Sequence, residues 1–365
     1  MSMATGRAQT TRFLLIFLIL AGSAAHAQSV STDPWGFIPV TAKGSSDTLI
    51  SAPLHRGAEF QGILTAASGS TLTVNGTSWG TDAFKNTHYV LIASGSKEGA
   101  FYQITGNTST ALTINLAGDT LGSAVTSGTE IQVIPFWTLN TLFPEGAGVK
   151  PSPTFLPQTS VLIPEQTRVG INLSAAASYF YYSGTQRGGE GWRRFGVSPT
   201  LKFDDQPLSP NSVLIVRHEV PGDTTITVPG AVQMTTLANV IATLAANKPQ
   251  DKAIAFNVAA PTSLGASLLF ESGSFTGSQT IDSPVDELLV FDPSVAQTNK
   301  PPSAIYYYFL GSTHGGPGWR RKGDLSTKHN TTLLFQPASG YILRKAASPQ
   351  PASARWSVRP SYVPQ

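Results

Sequence analysis

Along most of this chain, apolar and polar residues alternate at a period of two, in short runs closed by Gly, Asn, Ser or Pro. That pattern predicts half-buried β-strands rather than helices. Residues 63–67 and 71–74 form such runs on either side of Ser68-Gly69-Ser70, a hairpin pattern, and Asn75-Gly76 follows as a strong two-residue turn signal. Further strands are predicted at 89–93, 101–105, 111–115 and 130–135. Short strands in meander order suggest a small barrel or sandwich. A strand–turn–strand at 35–40 and 48–50 recurs in kind at 213–217 and 225–228, and these are expected to be edge hairpins linking modules. Two segments read as helices. Residues 137–143 match the helical period only in part, whereas 232–246 place Met234, Leu237, Val240, Ile241 and Leu244 on one stripe. The Thr content of the second keeps a strand reading open.

The most distinctive pattern occurs twice. Residues 178–196 read SYFYYSGTQRGGEGWRRFG, and residues 305–323 read IYYYFLGSTHGGPGWRRKG, 127 positions later. The same offset aligns Leu142-Phe143 with Leu269-Phe270, Val161-Leu162 with Leu288-Leu289, Ile215 with Ile342 and Arg217 with Arg344. A fixed offset without a gap over 141–218 and 268–345 indicates an internal duplication. Each aromatic block predicts a β-hairpin: consecutive aromatics suit a strand packed on both faces, and the glycines turn the chain. Gly-Trp-Arg-Arg then opens the return strand. Two readings of the block follow. In one it is the packed heart of each repeat. In the other Tyr181, Trp192, Arg193, Tyr308, Trp319 and Arg320 form an exposed platform, with rings for sugar faces and guanidinium groups for hydroxyls.

These readings give an all-β fold, with an N-terminal small β-barrel or sandwich followed by two tandem copies of a β-module. The expected divisions are a signal peptide at 1–27, the barrel domain at 28–140, repeat one at 141–218, a connecting segment with the helix candidate at 219–267, repeat two at 268–345 and a Pro-rich tail at 346–365. The tail is expected to be mobile unless it packs as an edge strand.

The first 27 residues change the picture of compartment. Arg7 and Arg12 precede an apolar stretch at 13–21, and Ala25-His26-Ala27 is an A-x-A cleavage pattern, so export with cleavage near Ala27 is expected. Destination could be periplasm, cell surface or the extracellular space. The apolar stretch is too short to span a membrane. Removing it takes two arginines from the 24 basic residues and leaves the 21 acidic ones, so the remainder is near neutral. A nucleic-acid partner, which needs clustered Lys and Arg, is therefore not expected. The absence of cysteine excludes thiol nucleophiles, thiolate zinc sites and disulfides.

No catalytic constellation assembles from the sequence. Gly311-Ser312-Thr313-His314-Gly315 is not a G-x-S-x-G elbow, and Ser94-Gly95-Ser96-Lys97 matches S-x-x-K in a predicted turn rather than at a helix start. His55, His88, His218, His314 and His329 lack zinc-ligand spacing. Asp204-Asp205 and Asp286-Glu287 are adjacent pairs that a strand would point to opposite faces, unlike glycosidase carboxylates. Asp282, Asp286 and Asp292 lack the D-x-D-x-D-G calcium loop. The glycine turns lack the Lys-Ser/Thr and helix of a phosphate cradle. No metal or cofactor is expected.

The phrases DPWGFIPVT, YVLIASGSKEG, IPFWTLNTLFP, GWRR and GYILRK resemble a family of uncharacterised exported bacterial proteins with several paralogues in one genome. The resemblance spans nearly all of the chain after the signal. It implies export and a shared β-rich architecture, and carries no activity, ligand or site residue. The resulting expectation is an exported, non-enzymatic structural or adhesion protein. The alternative is a carbohydrate- or polymer-binding protein using the two hairpins. Expected partners are an extracellular polymer or other surface proteins.

Overall fold

The computed structural model describes residues 33–281 and 283–364. The expected signal and Asp282 lie outside the described residues. The fold is nearly all β, as the alternation predicts. Strands Phe60–Ser68, Thr71–Val74, Ala111–Ile114, Phe101–Asn107, His88–Ile92 and Glu130–Pro135 pair in that order and close into a six-stranded barrel. Its interior is filled by Leu64, Leu72, Val90, Ile104, Leu112, Ile131 and Val133 with their neighbours. Register shifts at Leu64/Ala66 and Ile104/Gly106 supply the bulges that let so short a sheet turn its corners.

Two five-stranded antiparallel sheets account for most of the remaining strands. The first has the order Gly191–Arg194, Ala177–Tyr182, Thr159–Ile163, Val213–His218, Ser46–Ser51. The second has the order Gly318–Arg321, Ala304–Phe309, Glu287–Val290, Gly340–Lys345, Gln250–Ala255. The pairing registers correspond. Tyr181 lies opposite Trp192 and Tyr308 opposite Trp319, while Leu162 pairs with Ile215 and Leu289 with Ile342. Each sheet is bracketed in the chain by the two strands of a ribbon, Trp35–Ala42 with Thr224–Ala231 and Leu237–Ala242 with Ser353–Val358.

Long-range pairing corrects several local expectations. The segment 232–246 is not a helix: Leu237–Ala242 is a strand, because Ser353–Val358 satisfies its backbone along a full edge. For the same reason the expected tail is anchored by a strand. The segment 137–143 holds a strand pair at Trp137–Thr138 and one helical turn, Leu139–Leu142, capped by the Thr138 and Thr141 hydroxyls. The barrel occupies 60–135 rather than 28–140, since Ser46–Ser51 leaves it to pair with Val213–His218. The two strand–turn–strand segments do not form separate edge hairpins. They pair with one another, in the first sheet and in its ribbon.

Candidate functional site

The aromatic–arginine hairpins are interior. Trp192 and Trp319 are 0% exposed, Arg193 is 1% and Arg320 is 0%. Tyr181 is buried and meets Trp192 edge-on at 5.8 Å; Tyr308 meets Trp319 edge-on at 5.6 Å and stacks on Phe270 at 3.6 Å. Sugar stacking needs an open ring face, so the platform reading is corrected: these six residues hold the hairpins together. Each arginine organises the turn before it. Arg193 donates to the carbonyls of Trp192, Pro199, Arg187 and Gly189. Arg320 donates to those of Trp319, His314 and Gly316. The turn carbonyls converge on the guanidinium because Gly188, Gly189, Gly315 and Gly316 all adopt positive φ. The Trp192 backbone N–H donates to Asp204, and that of Trp319 to Asn330, at 2.8 and 2.9 Å. Asp204 is thereby a structural acceptor.

The other sequence candidates are also tied into the framework. Ser94 accepts from the Glu130 backbone and Lys97 pairs with Asp119, on a turn that receives Arg355 through the carbonyls of Ser96 and Glu98. Asp286, 1% exposed, accepts from the backbones of Thr276 and Ala346 and pairs with Lys345. Asp292 caps the turn at Ser294. His218 is fully buried between two threonines. The Lys150 backbone N–H donates to Thr159 Oγ1 and Thr224 Oγ1–H donates to the Gly148 carbonyl. His218 Nε2–H therefore donates to Thr224 and Nδ1 accepts from Thr159, at 2.8 and 2.6 Å. Burial, with the Lys150 charge nearby, pushes its pKa down to about 4. His55, His88, His314 and His329 join no group of three metal-ligating side chains among the described residues.

A large cleft lies elsewhere, between the two five-stranded sheets. It has a volume of about 560 Å³. On the first sheet Leu162, Ile215 and Leu49 form one cross-strand row along it; on the second, Leu289, Ile342 and Ala253 form the matching row. Beside these rows sit two ion pairs. Arg217 grips Asp47 through Nε and Nη2 at 2.7 and 2.8 Å, and Arg344 grips Asp251 in the same way at 2.8 and 3.0 Å. Each guanidinium also reaches across to the other half. Arg217 Nη2 donates to Asn299 at 2.6 Å, and Arg344 Nη2 to Asn172 at 2.9 Å. The backbone N–H groups of Asn299 and Asn172 return bonds to Asp47 and Asp251. The backbone N–H of Asp47 bonds the Gln297 carbonyl, and that of Asp251 the Gly170 carbonyl. The contacts are reciprocal, as at a two-fold interface.

This cleft was not found from sequence. Arg217 and Arg344, like Asn172 and Asn299, obey the 127-residue offset, which was the available signal. Asp47 and Asp251 lie 204 apart, because the barrel intervenes after the first and not after the second. Comparison with known protein families, characterised proteins and solved structures finds no match.

Proposed function

We propose that the chain is an exported, non-enzymatic structural or adhesion protein built from two copies of one β-module, the first interrupted by the barrel. The observation that carries this reading is the use made of its most distinctive residues. The paired Trp–Arg hairpins are buried in the framework, and the Arg–Asp–Asn clusters bond one half of the molecule to the other. Groups engaged in this way set strand geometry and are not poised for proton transfer, which needs a group within reach of a reacting atom. The leader-like pattern at residues 1–27 and the near-neutral charge balance of the remainder support the extracytoplasmic setting. The test is a panel of glycoside, ester, peptide and phosphate substrates offered to the protein after signal removal. No turnover above background is expected; turnover abolished by a single substitution at Asp47, Asp251 or Asp204 would overturn the reading.

A further inference from the structure

We propose that the cleft between the two sheets binds an uncharged acyl ester of the monoacylglycerol type, its chain along the aliphatic rows and its ester and hydroxyl oxygens toward Arg217. The inference goes beyond the structural reading and does not depend on it. About 560 Å³ is within the range of sites that enclose small organic molecules. Its walls are aliphatic by construction. Leu162, Ile215, Leu49 and Ile342 are only half-buried and belong to none of the packed cores, although their strand neighbours Val161, Leu214, Val216, Leu288 and Leu343 do. Both sheets therefore carry apolar side chains on the face that a solvent-facing antiparallel sheet normally makes polar. Those walls suit a hydrocarbon chain. Phe291 is the sole aromatic lining residue among the described residues, which disfavours stacking on a sugar.

The polar groups select against charge. Arg217 and Arg344 are already spent on Asp47 and Asp251, so the cleft offers an added carboxylate no free counter-charge from either pair. The Lys300 ammonium already donates to Ser46 Oγ and to the Asp292 and Val295 carbonyls, which uses its three N–H groups. Arg217 is held by Asp47 and Asn299 through Nε and Nη2, and its Nη1 has no partner among the described residues. Fixed N–H donors beside an apolar wall match a neutral oxygen acceptor.

The experiment is calorimetric titration of the signal-free protein with 1-monodecanoylglycerol below its aggregation concentration, beside decanoate and glycerol. The ester is expected to bind one per chain, with decanoate weaker by about tenfold or more and glycerol silent. Leu162→Trp and Ile342→Trp, which fill the cleft, are expected to weaken the ester by at least about tenfold. Because a filling variant can misfold, Ala175→Trp provides a second measurement. Ala175 is an exposed lining residue, and its indole should be quenched by an ester with a brominated chain. No binding of the ester, preference for decanoate, undiminished binding by both folded filling variants, or an unquenched Ala175→Trp reporter would each overturn the site. Hydrolysis of the bound ester would leave the site standing and refute the non-enzymatic reading instead.

Discussion

Replacing Arg193 and Arg320 by Met separates the structural role of these arginines from any surface role. Both side chains are sealed, and no carboxylate lies within ion-pair distance of either guanidinium among the described residues. Their charge is met by backbone carbonyls and by the rings of Tyr182 and Phe309, 5.6 and 5.8 Å away. Methionine fills much of the same volume and removes a buried charge, which is favourable, but it strands the carbonyls that were aimed at the guanidinium. Each hydrogen bond to a charged group contributes about 1.5–3 kcal/mol, and relief of desolvation offsets several kcal/mol of the total. The net expected loss is about 3 kcal/mol for Arg193→Met. For Arg320→Met it is smaller by about 1 kcal/mol, because Arg320 Nε has no counterpart to the Arg193 bond to Pro199 and is left unbonded. Lysine should not rescue either site, since a single ammonium cannot span acceptors arranged for a planar fork. The assay is urea unfolding followed by tryptophan fluorescence, with midpoints compared at equal slope. Equal losses at the two sites, a larger loss at Arg320, or losses below about 0.5 kcal/mol would refute the reasoning.

Truncating either buried indole to alanine is expected to cost about 3–5 kcal/mol. Trp192→Phe and Trp319→Phe should cost less than half as much, because neither Nε1 has a hydrogen-bond partner among the described residues to lose; thermal unfolding of the four variants checks the order. Asp286→Asn should destabilise by about 3 kcal/mol by leaving the Lys345 ammonium without its counter-charge, measurable in the same way. His218 gives a pH dependence of definite sign. Its folded pKa of about 4 lies below its ordinary value of 6.5, so the unfolded chain binds the extra proton between those limits. Its contribution is complete above pH 6.5, declines as pH falls, and is exhausted near pH 4, a loss on the order of 2–3 kcal/mol. A His218→Gln protein should show a flatter decline of the urea midpoint across that window; an unchanged slope would exclude His218 as the source. Gly318→Ala should cost about 1–3 kcal/mol, because φ there is 150° and an added Cβ would lie 2.7 Å from Asn330 Oδ1.

Much of the fold was legible in the sequence. The barrel strands were readable because each alternates cleanly and pairs with a near neighbour through a short turn. The aromatic hairpins were readable for the same reason. The ribbon strand at Leu237–Ala242 misled, because Leu237 and Ile241 are buried at a spacing of four that a helix also produces. What identifies it as a strand is an edge more than a hundred residues away. The sequence left Arg193 and Arg320 between a packed core and an exposed platform, since arginine is rarely sealed; what seals them is a ring of turn carbonyls that exists only once glycine has bent the chain.

By itself, then, the order of residues determined what is local and periodic: strand character, turn positions, the repeated block, and the lack of thiol chemistry. Which face of each strand is inside was decided only by tertiary structure, since a strand apolar on both faces presents the same pattern whichever way it is turned. The cleft belongs to that second class. Its two aliphatic rows and its reciprocal Arg–Asp–Asn contacts arise when two sheets meet, and their members come from segments scattered from Asp47 to Arg344 along the chain.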